Sequence, residues 1–141
     1  MSVVVGVTRP KKHEAMDRFI WICISGALGT GCRYLVGVWS AQRFGAAFPF
    51  GTLIVNVIGC FLIALVMRVA LSVTTFPTTL RLALTTGFMG GFTTYSSFNY
   101  ESTKLLLEGK RFLALINFGT TVGACFIAGV LGLLLADRFL G

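Results

Sequence analysis

The sequence predicts an all-α integral membrane protein of four transmembrane helices, with the third helix broken mid-membrane. Three observations predict this. Of 141 residues, 55% are apolar and only 12% are charged, about half the charge density of a soluble domain. Four apolar runs are each long enough to cross a bilayer, which takes about 20 helical residues. Lys and Arg gather at the ends of those runs, as membrane-flanking residues do. The net charge of +7 therefore reads as flanking charge, and nucleic acid is not an expected partner.

The elements follow in order. Residues 1–17 form a polar, basic tail ending in TRPKKHEAMD, expected to be disordered or to lie on the membrane surface. It lacks the apolar core and cleavage site of a signal peptide, and Met16 is an alternative start. Residues 18–141 are the transmembrane domain. The first crossing runs from about Phe19 to Ser40, the second from about Thr52 to Val73. The third, from about Leu80 to Leu107, is interrupted, and the fourth runs from about Phe112 to Ala136. The links are short, and Pro49 and Pro77 mark helix ends within them. Trp21, Trp39, Phe48 and Phe50 fit interfacial aromatic belts.

The flanking cations divide between two sides. One side carries Arg9, Lys11, Lys12, Arg18, Arg68, Arg81 and Arg138; the other carries Arg43, Lys104, Lys110 and Arg111. A start at Met16 would leave the sides equal. Without a positive-inside bias a chain can insert in both directions, and opposed copies can then pair as a dual-topology antiparallel homodimer. With the tail present, the same charges can instead set one orientation, N-terminus inside. Gly87 with Gly91, Gly119 with Gly123, and Ala128 with Gly132 are small-residue pairs that let helices approach closely.

Polar groups at membrane depth are costly, so each is a candidate for function. Arg33 lies about 20 Å into the first helix; it either reaches the far interface or lines a wet vestibule. Asn56 shares a face with Thr52 and Cys60, as interhelical glue or as an amide donor to an anion. Asn117 and Thr121 share a face of the fourth helix, where hydroxyls can also bond back to the preceding turn. The four cysteines, Cys23, Cys32, Cys60 and Cys125, have no ligand spacing and read as small packing residues.

The third crossing is the most informative. In GFMGGFTTYSSFNYES, residues 87–102, Gly87, Gly90, Gly91, Thr93 and Thr94 are poor helix formers. A break at membrane depth is tolerated only where protein or a wet cavity satisfies the freed backbone. Freed carbonyls suit cations and half-helix N-termini suit anions. Tyr95 and Phe98 follow on one face, among Ser96, Ser97, Glu101 and Ser102. Aromatic ring edges carry the positive end of the quadrupole and can serve a small anion. The bland alternative is a glycine-rich packing face with aromatic filler.

Three motifs, GALGTGCRY (26–34), FGTLIVNVIG (50–59) and GFMGGFTTYSSFNYES, resemble the Fluc (CrcB) fluoride-channel family over nearly all of the chain from Arg18. The resemblance implies a fluoride-selective channel that exports fluoride passively across the cell membrane. It implies an antiparallel homodimer with two pores and a central structural sodium ion. Gly90 and Thr93 match the sodium-coordinating positions. Asn56, Tyr95 and Phe98 match the fluoride pore, Arg33 matches the vestibule arginine, and Ser96, Ser97, Ser102, Glu101 and Thr121 match a polar lining. Two departures stand out: Tyr95 replaces the familiar Phe, and Asn117 occupies a position that is Tyr in some members. A small proton-coupled multidrug transporter is the rival reading, but its first helix needs an acid where this chain has Arg33. No nucleophile–base pair or cofactor motif points to an enzyme.

Overall fold

The structure is a computed structural model and describes residues 11–141. Three continuous helices are long and apolar enough to cross a membrane: α1 (Lys12–Phe44), α2 (Phe50–Ser72) and α5 (Arg111–Leu140). The segment expected to form the third crossing folds as two shorter helices, α3 (78–92) and α4 (Tyr95–Leu107). Among the described residues there is no strand.

Local sequence sets the ends. α1 closes on Gly45, whose φ of +76° is the left-handed conformation that favours glycine, and its N–H donates to Ala41 O at 3.0 Å. Pro49 immediately precedes α2, and Pro77 immediately precedes α3, where the missing N–H costs the helix nothing. The α4–α5 turn needs Gly109, at φ +75°. An aromatic cluster covers the α1–α2 turn, with Phe44 meeting Trp39 edge-on at 5.6 Å and Phe50 at 5.2 Å between ring centroids.

α1 begins at Lys12, so the last residues of the polar tail are helical. Glu14 pairs with Arg18 one turn later at 3.6 Å, an i,i+4 contact that supports helix there. The part of the tail before residue 11 lies outside the described residues. One expectation needs correction, at the glycines of the third segment. Gly87, Gly90 and Gly91 do not break it. Gly87 lies in a π-helical stretch, Ala83–Met89, and the other two begin the helical turn Gly90–Phe92. The chain leaves the helix only at Thr93 and Thr94.

The glycines serve packing instead. α3 lies so close on α1 that a Cβ at Gly87 would strike the Ser25 hydroxyl. One at Gly91 would strike the Gly26 carbonyl and stand 3.0 Å from Thr30 Oγ1, and one at Gly29 of α1 would strike the Phe88 carbonyl. α2 and α5 make the other large contact, where Gly132 faces the Phe61 carbonyl and Ala128 and Ala136 are buried. Arg68 ties the ends of that pair to Asp137 at 2.6 Å. The third small-residue pair differs: a Cβ at Gly119 or Gly123 would meet nothing within 4 Å. Large apolar side chains such as Phe112, Phe126 and Phe139 cover the outside, as a lipid-facing surface requires.

This packing gives a direct test. Gly91→Ala should cost about 1–3 kcal/mol through overpacking, read as a lower unfolding temperature in detergent. Gly31→Ala, where a Cβ meets nothing within 4 Å, should be neutral or slightly stabilising, since Ala is the better helix former by about 1 kcal/mol.

Candidate functional site

The break at Thr93–Thr94 is built by a side chain from another helix. Asn56 Oδ1 accepts from the Thr94 N–H at 2.8 Å, and Asn56 Nδ2 donates to the Thr94 carbonyl at 3.1 Å. Thr94 is extended, with φ −153° and ψ 109°, so the carboxamide pairs with it as a neighbouring strand would. The pairing also fixes the amide's orientation, because an N–H donor must face the oxygen. Both Asn56 and Thr94 are buried. An unpaired buried amide or carbonyl costs about 1–3 kcal/mol, and here each finds a partner.

This exchange redirects the bonds around it. In a continuous helix the Thr94 N–H would donate to Gly90 O; with Asn56 as its acceptor, the Gly90 carbonyl is released. Thr94 Oγ1 caps the new helix, accepting from Ser97 N–H at 3.2 Å. That bond diverts the donor that would otherwise serve Thr93 O. The Gly91 carbonyl is taken by Arg33, whose Nε donates to it at 3.0 Å. Thr93 Oγ1 donates back to Met89 O at 2.9 Å, which leaves its lone pairs free to accept.

The predicted site residues are thereby divided between two cavities. An inner one of about 410 Å³ is lined by Asn56, Gly90, Thr93, Tyr95, Phe98 and Thr121, among others. An outer one of about 720 Å³ has Thr52, Ser96, Ser97, Glu101 and Lys104 in its wall. α4 begins between them. Tyr95 and Phe98 lie on one face with ring centroids 5.7 Å apart, yet Phe98 is 3% exposed and Tyr95 77%. Glu101 Oε1 accepts from the Thr52 hydroxyl at 2.8 Å, while its Oε2 is buried with no partner among the described residues. At the outer rim Lys110 Nζ sits 2.7 Å from Glu108 Oε2, and this bond holds the Glu108 carboxyl below the usual carboxylate range.

Two predicted residues line neither cavity. Arg33, expected in a vestibule, holds the Gly91 carbonyl at the end of α3. The proton of the Ser102 hydroxyl goes to Phe98 O at 2.8 Å, and its oxygen accepts from Asn117 Nδ2 at 2.9 Å. Thr121 Oγ1 stands 3.5 Å from Asn117 Oδ1. Asn117, 1% exposed, therefore joins α5 to α4. The i,i+4 spacing already places Asn117 and Thr121 on one helix face; the bond from Asn117 to Ser102 is visible only in the fold.

A buried helix break, polar donors and aromatic side chains around two cavities, and an apolar exterior define the class: a multi-pass helical membrane protein with an intramembrane polar site. The chain belongs to the CrcB family, whose model, described as "CrcB-like protein, Camphor Resistance (CrcB)", matches residues 20–133. It is similar to the fluoride-specific ion channel FluC of Sorangium cellulosum (strain So ce56), at 48% identity over 125 residues, 89% of this chain and 98% of that protein. The FluC proteins of Anaeromyxobacter sp. (strain K) and Geobacter sulfurreducens are 47% and 46% identical. They cover 89% and 87% of this chain, and 100% and 99% of their own lengths.

The cap at Thr94 is separable from its backbone pairing. Thr94→Val should lose about 1 kcal/mol of stability, the usual worth of a helix N-cap, and Thr94→Ser should recover most of it. Thermal unfolding of the two variants in detergent checks this.

Proposed function

We propose that the protein is a fluoride-selective ion channel that lets fluoride leave the cell passively. The observation that carries the reading is the inner cavity, where buried amide and hydroxyl groups and two aromatic side chains meet around a helix break. Fluoride is small and strongly hydrated, so a path for it must replace water with close donors. Asn56 spends one Nδ2 hydrogen on Thr94 and has a second to give. Tyr95 adds a phenolic donor, and the edges of Tyr95 and Phe98 add positive quadrupole. Ser96 and Ser97 continue the donors toward the outer cavity. The relatives named as fluoride-specific ion channels, matched over nearly their whole length, support the same reading, as does membership of a family of channels rather than enzymes.

The functional unit in this reading is an antiparallel homodimer with two pores. Flanking charge that is equal on the two sides when counted from Met16 favours insertion in both directions. The open Gly119 and Gly123 positions and the outward ring of Tyr95 supply surface for a second copy. A structural sodium ion belongs at the dimer centre. The released Gly90 carbonyl and the oxygens of Thr93 fit it, because unwound carbonyls are the donors that hold Na⁺ in broken membrane helices. Sodium there would supply positive charge that neutralises clustered carbonyl dipoles; the chain's part is to present those oxygens by diverting the Thr94 and Ser97 amides.

One liposome experiment tests the proposal. Vesicles loaded with potassium fluoride and given valinomycin should release fluoride quickly, while chloride-loaded vesicles release almost none. Equal rates for the two anions, or no release, would sink the channel reading. Prolonged replacement of sodium on both sides should abolish release; unchanged release would remove the sodium from the account.

A further inference from the structure

Two thiols face the inner cavity. Cys60 lies one turn beyond Asn56 on α2, and Cys125 lies one turn beyond Thr121 on α5. Both are half-buried free thiols, and both line the cavity with Asn56 and Phe98. Close packing of α2 on α5 brings them together. A Cβ at Gly129, one turn after Cys125, would stand 3.8 Å from the Cys60 carbonyl oxygen, and Cys60 and Cys125 are neighbours. Cys23 and Cys32 lie on the exposed surface of α1 and do not line the cavity. Spacing in the sequence assigned all four to packing; the fold separates them into a facing pair and two surface thiols.

We propose that Cys60 and Cys125 together bind one soft divalent cation of linear, two-coordinate habit within the inner cavity, with the mercuric ion as its probe. Thiolate sulfur selects soft metals. Zinc is excluded by geometry: structural zinc takes four ligands, and among the described residues no group of three or more His, Cys, Asp and Glu is placed to hold a metal. Charge points the same way. Two thiolates cancel a divalent charge, so the complex is neutral where an uncompensated ion would be expensive. On binding, two S–H bonds break and two S–metal bonds form. Two protons leave, and no atom changes oxidation state. The ion and both sulfurs would then stand beside Asn56 and Phe98 and obstruct the path. That last consequence rests on the channel reading above.

The test uses full-length protein carrying Cys23→Ser and Cys32→Ser, so that only the facing pair remains. Mercuric nitrate in chloride-free buffer should load one ion per chain. The ion should resist an excess of a monothiol competitor. Adding Cys60→Ser or Cys125→Ser should weaken retention by roughly 100-fold or more, the advantage of a second tethered ligand. Two ions per chain, or unchanged retention in either serine variant, would overturn the shared site. In vesicles, mercury should stop fluoride release through the paired-thiol protein and spare both serine variants, each compared with its own mercury-free rate. Fluoride release that continues through the mercury-loaded paired-thiol protein would overturn the obstruction. Failure of mercury-free vesicles to release fluoride would instead count against the channel reading, and binding stoichiometry would still decide the thiol site.

Discussion

The structure depends on one two-point exchange: the carboxamide of Asn56 against the backbone of Thr94. A helix interrupted at membrane depth exposes amides and carbonyls that lipid cannot satisfy. Asn56 satisfies the pair at Thr94, and the rest follows from which groups are then left over. Gly90 loses its helical donor, Ser97 turns its N–H to the Thr94 hydroxyl, and Arg33 takes the Gly91 carbonyl. An interaction of two hydrogen bonds therefore sets the position of the break, the start of α4 and the set of carbonyls that remain free.

The close packing of α1 on α3 is the frame that makes this possible. Gly26, Gly29, Gly87 and Gly91 bring the two backbones close together. That contact holds the first half of the broken crossing in place and lets Arg33, from the middle of α1, reach its end. On the other side, Asn117 binds Ser102, and the ring of Phe118 lies 6.0 Å from that of Phe98. Phe98 is thus buried against α5, while Tyr95, one turn earlier, stays exposed. The two rings share a helix face but not an environment.

Much of this was legible in the sequence. Run lengths and flanking charge sufficed for the three continuous membrane-spanning helices, because membrane thickness fixes span length. The density of Gly, Thr and Ser in residues 87–102 located the interruption. What propensity could not say was which residues break. Glycine disfavours helix but also permits contact, and contact won at Gly87 and Gly91 once α1 lay against them. The break moved to Thr93–Thr94 because a partner for the Thr94 backbone existed on α2, and such a partner is visible only in three dimensions. For the same reason Arg33 could be read as deep and costly but not as a cap on α3. Asn117 and the Cys60–Cys125 pair also needed helix pairing to show what they face.

The account makes the break and conduction two consequences of one residue, and Asn56→Asp separates the possibilities most directly. The aspartate keeps an acceptor for the Thr94 N–H but loses the donor to its carbonyl and sets negative charge in the cavity. Backbone amide exchange from Thr93 to Ser97 and fluoride release from vesicles should be measured on the same preparation. The account predicts faster exchange across the break together with loss of fluoride release. Wild-type release, whatever the exchange rate, would contradict it.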